Sequence, residues 1–333
     1  MKILLTGAQG FLGGRVLDFL LADNHEITAL VRRPAPELIV RGVEVIQADL
    51  REVSSLAAAV RRIDGVIHCA ARSGVWGSLN EFIEANTLST VNLLNAARRA
   101  GVKWFVHTSS PSVVHTGQPL DGIDESAPYT ANPYHAYPYS KMLAEKFVLT
   151  ANGPDFQTTA LRPHLIWGPG DPHFLPRLKS KAAAGRLWLL KSKALVDGTY
   201  IDNAAWAHIL AARKMTAGDA GKIGGRAYFI AQGEPLTAAE LIGKLLEAIQ
   251  TKDQPLKIKG FLPACLGRAG GTFVEGLWRL LKLKNEPPLT RFVAEELTLP
   301  HWFNLNRARS ELGYETIVSM PDGLIKLHES ANW

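Results

Sequence analysis

Thr6-Gly7-Ala8-Gln9-Gly10-Phe11-Leu12-Gly13 follows the short apolar run Ile3-Leu4-Leu5 and leads into a helical pattern. Its glycines are spaced G-x-x-G-x-x-G. The first permits a tight turn, the second lets a pyrophosphate approach the backbone, and the third lets helix and strand pack closely. The helix N-terminus then faces the phosphates. The bland alternative is a plain glycine-rich turn. The strand-loop-helix context favours a dinucleotide loop built from Gly7, Gly10, Phe11, Leu12 and Gly13.

Outward from that loop, short β-rich runs alternate with helical patterns. Strands are expected over 3–5, 26–31, 43–47, 65–69, 102–107 and 157–162, with helices over 11–21, 54–61, 79–100 and 134–150. Apolar strands interleaved with helices predict βαβ units and a parallel sheet covered on both faces. The rhythm breaks after Trp167, where Pro169, Pro172 and Pro176 mark irregular loops. Helices over 178–184, 204–215 and 237–250 and a late strand over 227–230 follow. The expected fold class is α/β. A Rossmann-type, doubly wound parallel sheet occupies 1–166, with 197–232 returning to it, and a smaller, mostly helical substrate lobe occupies 167–333.

The 333 residues carry a net charge of +6, with no long basic run, which reads as scattered surface charge and not as a nucleic-acid site. Two cysteines, Cys69 and Cys265, offer neither a disulfide framework nor a metal cluster, so no metal is expected. The first apolar run is too short for a signal peptide, and no uncharged run is long enough to span a bilayer. A cytoplasmic enzyme is the expectation.

After the second strand comes Leu30-Val31-Arg32-Arg33, where an acidic residue would bind a ribose 2′-hydroxyl. Two arginines suit a 2′-phosphate instead, so NADP is favoured, with NAD as the alternative and Arg32 as the contact. These arginines would otherwise only solvate a loop. Asp49-Leu50, after the third strand, suits an adenine contact.

Chemistry enters with Ala136-Tyr-Pro-Tyr-Ser-Lys-Met-Leu-Ala-Glu145. Tyr137 and Lys141 are four residues apart, so a helix puts phenol and ammonium on one face. A fixed positive charge there is expected to lower the phenol's pKa and fit it for proton transfer. The plain reading of Tyr137 is an aromatic packing on the sheet. Ser110, in Val106-His107-Thr108-Ser109-Ser110, would donate to an oxygen on which charge develops; Ser109 is its competitor. Lys141 would also hold the nicotinamide ribose. Asn86, inside the helix over 79–100, is a candidate for holding a water or the lysine backbone in a proton relay.

Together the glycine loop, His68-Cys-Ala-Ala71, Thr108-Ser-Ser110, Tyr137-x-x-Ser-Lys141 and Leu161-Arg-Pro-His-Leu-Ile-Trp-Gly-Pro-Gly-Asp171 resemble an extended short-chain dehydrogenase/reductase over nearly the whole chain. Ser109-Ser-Pro-Ser-Val-Val114, Thr159-Ala-Leu-Arg-Pro163 and Asp197-Gly-Thr-Tyr-Ile-Asp-Asn203 are similar to the 3β-hydroxysteroid dehydrogenase branch. Within it, Ser73-Gly-Val-Trp-Gly-Ser78 and Ser110-Pro-Ser-Val113 resemble 2-alkyl-3-oxoalkanoate reductases; sterol-4-carboxylate 3-dehydrogenases are the other similar group. The resemblance implies Ser110 as oxygen donor, Tyr137 as acid/base and Lys141 as cofactor anchor. It adds Ala70, Pro163 and Ile166 to the cofactor set and implies a homodimer through the helices over 79–100 and 134–150. The implied activity is hydride exchange between a 3-oxo and a 3-hydroxy group on a bulky hydrophobic body.

Trp76, His115, His164 and Trp167 are substrate candidates by position, and each equally suits core packing. The apolar segment 272–284, with its basic end, would cover the cleft or lie on a membrane surface. Two other functions stay open. A nucleotide-sugar epimerase or dehydratase would use Arg177, Lys179 and Lys181 for a diphosphate, and an NADP-binding sensor would need no proton donor.

Overall fold

Runs such as Ile3-Leu4-Leu5 and Ile27-Thr-Ala-Leu-Val31 are apolar without alternation because both faces of their sheet are covered. The computed structural model describes residues 1–330 apart from 218, 252, 282 and 284. Seven strands form one parallel sheet: β1 Lys2–Thr6, β2 Glu26–Val31, β3 Glu44–Gln47, β4 Gly65–His68, β5 Trp104–Thr108, β6 Gln157–Pro163 and β7 Arg226–Ile230. Their order is β7-β6-β5-β4-β1-β2-β3. Strand order reverses between β1 and β4, and the crevice beyond their C-terminal ends is where such sheets take a ligand. The helix Ile201–Thr216 packs on Phe11–Ala22, so this later segment does lie against the first half.

The helix expected over 79–100 is three pieces: Leu79–Phe82, a π-helical turn Ile83–Leu88, and Ser89–Arg99. A π turn inserts one residue per turn and re-aims side chains; here it puts Asn86 and Thr87 against the neighbouring helix. That neighbour runs Ala136–Thr150 and so starts two residues later than expected. The Asn132 side chain accepts from the Tyr134 amide and keeps that residue in a turn.

The second lobe contains more strand than its sequence suggests. Leu236–Thr237, Leu195–Val196, His301–Phe303 and Leu120–Ile123 form a four-stranded sheet in that order. Trp188–Lys191 pairs with Gly260–Pro263. Helices Ala264–Leu280 and Met320–Glu329 complete it. The first forms despite four glycines. Gly271 lets the chain at Thr290 pass close by, since a Cβ there would lie 2.9 Å from the Thr290 carbonyl oxygen. Among the described residues no helix is long and apolar enough to cross a membrane.

Candidate active site

Gly7 has φ +76°, and a Cβ there would sit 2.8 Å from the Ala70 backbone nitrogen. A Cβ on Gly13 would lie 2.1 Å from the Gly7 carbonyl oxygen. Only glycine therefore allows the loop between β1 and its helix to close this tightly against the end of β4. Thr6 Oγ1 accepts from the Ala70 amide at 3.1 Å and ties the two strand ends together. These residues fit a dinucleotide's pyrophosphate: a bare backbone, a helix N-terminus beyond it, and no side chain in between. Arg32 and Arg33 are exposed at the end of β2. Glu37 stands near the same edge, accepting from Gln9 Nε2 at 2.9 Å. Asp49 is gripped by Arg51 at 2.6 Å, which pulls its carboxyl down to about 2. Leu50 is buried beside it.

On the other side of the crevice, the loop after β5 presents Ser110. Its hydroxyl caps the 3-10 turn Pro111–Val114, accepting from the Ser112 amide at 3.2 Å, and it lies 2.8 Å from Ser112 Oγ. Ser109 points away; its hydroxyl is buried with no partner among the described residues. Tyr137 faces the same space as Ser110. Burial pushes the Tyr137 phenol up, and a hydrogen bond with Ser110 pulls it back. The sequence reading assigned that pull to Lys141. In the structure the Lys141 ammonium is spent on the Thr108 carbonyl, to which it donates at 2.5 Å. Burial pushes Lys141 itself down to about 8.

The π turn explains Asn86. Its amide donates to Ser140 Oγ at 3.0 Å and to the Arg72 carbonyl at 3.0 Å, while its oxygen accepts from the Arg72 amide at 2.7 Å. Thr87 Oγ1 donates to the Ser140 carbonyl at 2.8 Å. Ser140 in turn donates to the Tyr137 carbonyl at 2.8 Å. Asn86 thus holds the helix between Tyr137 and Lys141; it reaches neither the lysine backbone nor its ammonium. Behind Lys141, sequence reasoning missed His68, His107 and His208, all buried and all kept neutral by burial.

Ser110 and Tyr137 open onto a cavity of about 130 Å³. Leu120, Leu165, Phe292 and Phe303 form its apolar wall; His164, Glu296 and His301 form a polar one. Of the four substrate candidates, His164 lines this cavity. His115 lies behind it, with Nε2 2.9 Å from Glu295 and Nδ1 3.3 Å from Glu296. Trp167 is fully buried in the second-lobe core, edge-on to Tyr200 at 5.2 Å. Trp76 sits under the Arg279 guanidinium and donates to the Leu283 carbonyl at 3.4 Å. Pro163 ends β6, and Ile166 pairs with Thr199 just beyond. Phe292, Glu296 and His301 were not foreseen, because nothing in a single sequence links positions near 300 to Ser110.

A family model described as the 3-beta hydroxysteroid dehydrogenase/isomerase family matches residues 4–259. A 2-alkyl-3-oxoalkanoate reductase of Stenotrophomonas maltophilia is 42% identical over 336 residues, covering 99% of both chains. A 3 beta-hydroxysteroid dehydrogenase/Delta 5-->4-isomerase of Mycobacterium tuberculosis is 34% identical, covering 97% of this chain and 88% of that one. The human sterol-4-alpha-carboxylate 3-dehydrogenase, decarboxylating, is 28% identical over 99% of this chain and 88% of its own. Among solved structures, MoeE5 in complex with UDP-glucose and NAD shares the fold at a TM-score of 0.74 and 23% identity, over 99% of this chain and 98% of that one. Matched over 4–259 by the family model and along nearly its whole length by named dehydrogenases and reductases, this chain is an oxidoreductase that belongs to the 3-beta hydroxysteroid dehydrogenase/isomerase family.

Proposed function

We propose that the protein interconverts a 3-oxo and a 3-hydroxy group on a hydrophobic substrate of the 2-alkyl-3-oxoalkanoate type, using NADP. The observation that carries this reading is the convergence of Ser110 and Tyr137 on one cavity with a largely apolar wall. The 42% identical relative named 2-alkyl-3-oxoalkanoate reductase supports the substrate class over a sterol.

The glycine loop would hold the pyrophosphate of a nicotinamide dinucleotide, whose chemistry would be to supply or accept the hydride. In the reducing direction Ser110 donates a hydrogen bond to the carbonyl oxygen as negative charge builds on it. Tyr137 gives that oxygen its proton. Its phenol, raised by burial, is protonated at neutral pH and fit to act as the acid. Lys141, one helical turn on and bonded to the Thr108 carbonyl, would anchor the nicotinamide ribose. Asn86 keeps both residues in place through Ser140. The cofactor set is Gly7, Gly10, Phe11, Leu12, Gly13, Ala70, Pro163 and Ile166, with Asp49 and Leu50 toward the adenine. Arg32 would pair with the 2′-phosphate.

Tyr137→Phe should cut turnover by roughly 10²–10⁴-fold, the usual worth of a positioned acid, while dinucleotide affinity by calorimetry stays within about threefold. Turnover retained in that variant would overturn the assignment. Reversing charge at Arg32 should raise the KM for NADPH at least tenfold and leave NADH little changed; equal effects on both would return the choice to NAD. The epimerase reading is weaker, since Arg177 is already bonded to Glu286. Exposed Leu88 and Phe147, on the two helices named for a homodimer, support that assembly. We read the protein as cytoplasmic.

A further inference from the structure

The polar wall of the cavity is the inner end of a chain of titratable side chains. His135, Glu295, His115, Glu296, His301 and His164 follow one another through contacts of 3.6, 2.9, 3.3 and 3.4 Å and a 5.0 Å ring pair. Its outer members are matched to one another. Glu295 also accepts from Arg291 Nε at 2.8 Å. His115, bracketed by two carboxylates, donates from both ring nitrogens. One buried imidazolium and one arginine therefore face two carboxylates.

The inner members are not matched. His164 Nδ1 donates to the Asp197 carbonyl in a short hydrogen bond. His301 Nε2 donates to the Glu296 carbonyl at 2.7 Å. A carbonyl only accepts, so these bonds fix which nitrogens carry hydrogens. His164 Nε2 and His301 Nδ1 are left over. His301 is 5% exposed, and its Nδ1 has no partner among the described residues. A buried polar atom without a partner is costly unless something binds it. Both rings line the cavity that Ser110 and Tyr137 enter.

We propose that His301 and His164 form a subsite for the carboxylate of a 3-oxo acid, one carbon from the ketone held by Ser110 and Tyr137. This rests on the proposed function and assigns its specificity. A carboxylate taken in with one proton can share that proton with His301 Nδ1, while the neutral His164 ring, whose Nε2 is an acceptor, shapes the other side without a hydrogen bond of its own. A small anion fits better than a metal ion, although His164, Glu296 and His301 stand within 4.8 Å of one another. Glu296 is already committed through both oxygens, to His115 and to His301, and the His115 imidazolium repels a cation beside it.

The test compares a 2-alkyl-3-hydroxyalkanoate with the matched secondary alcohol lacking the carboxylate, both oxidised with NADP by wild type, His301→Gln, His301→Phe and His164→Asn. The wild type should prefer the acid. In the His301→Phe variant the acid-to-alcohol ratio of kcat/KM should fall about 30-fold or more, mainly through KM, the size of a lost charge-assisted hydrogen bond, and in His164→Asn it should fall less. His301→Gln should retain part of the preference. A ratio that stays within threefold in every variant would make the two rings structural and overturn the subsite. So would loss of acid oxidation on chelation and its return with added zinc, which would assign the three side chains to a metal. A wild type that oxidises neither compound would instead bring down the proposed function, and the subsite with it.

Discussion

At Gly13 a single methyl decides whether the loop can close. Its Cβ would stand 2.1 Å from the Gly7 carbonyl oxygen, which is backbone and cannot step aside cheaply. Gly13→Ala should weaken NADP(H) binding at least tenfold by calorimetry with little change in far-UV circular dichroism. An unchanged affinity would place the pyrophosphate elsewhere. Residues like this one were readable in advance, because each requirement is met within a few positions of itself. Tyr137 and Lys141 were readable for the same reason, since helical geometry brings them together. What could not be read was where the lysine's charge goes. Its partner is the Thr108 backbone carbonyl, an atom common to every residue type. His301 was invisible for a further reason: its role depends on a cavity it shares with Ser110 and Leu120, 191 and 181 positions away.

Elements differ in the same way. Strands β1, β2, β4, β5 and β7 could be placed because burial on both faces favours a mostly apolar run, whereas β3 lies partly exposed. The start of helix Ala264–Leu280 was obscured by glycines, of which Gly271 admits the Thr290 backbone and Gly267 the Leu190 side chain. The short strands Leu120–Ile123 and His301–Phe303 carry too few residues to show a pattern before they pair. The helix bearing Tyr137 is pinned to its sheet by a buried ion pair: Glu145 accepts from Arg162 at 2.6 and 3.0 Å and from the Tyr129 hydroxyl at 2.7 Å. Glu145→Gln should destabilise the fold by about 3–5 kcal/mol, because Arg162 stays buried without its counter-charge. Urea denaturation checks this, and a loss below about 1 kcal/mol would mean that the pair is not needed. The π turn makes a milder prediction. Asn86→Leu should lower kcat by about tenfold or more while thermal stability falls modestly, since the turn steers Tyr137 through Ser140.

The stability of the whole molecule should depend on pH through the His115 cluster. Burial alone would push His115 down, but its bonds to Glu295 and Glu296 outweigh that and raise it from 6.5 to about 9. A base raised on folding contributes stability that is complete below 6.5 and is lost as pH climbs through about 9. The carboxylates run the other way. Burial pushes both up; the His115 and Arg291 bonds on Glu295, and the neighbouring His301 and His115 on Glu296, outweigh it and bring each from 4.5 to about 2. Their contribution is complete above 4.5 and is lost as pH falls toward 2. The melting temperature should therefore decline between neutral pH and about 9 in the wild type, and decline less in His115→Gln. Equal declines would show that the cluster does not couple to folding. The outer face of Ala264–Leu280 leaves Leu266, Phe273, Leu277 and Leu280 exposed. The segment 272–284, read as a cleft cover or a membrane-facing surface, holds Phe273, Leu277 and Leu280 of this face, and its lysines 282 and 284 lie outside the described residues. Flotation with anionic vesicles should retain the protein and lose it on Phe273→Asp; no flotation would leave this face to the cleft alone.

The pairing of Leu120–Ile123 with His301–Phe303 has a consequence for how the molecule is made. Every strand of the large sheet has been synthesised by Ile230, whereas Phe292, Glu296, His301 and Phe303 come near the end. A nascent chain could thus acquire its redox partner well before it can tell one fuel from another.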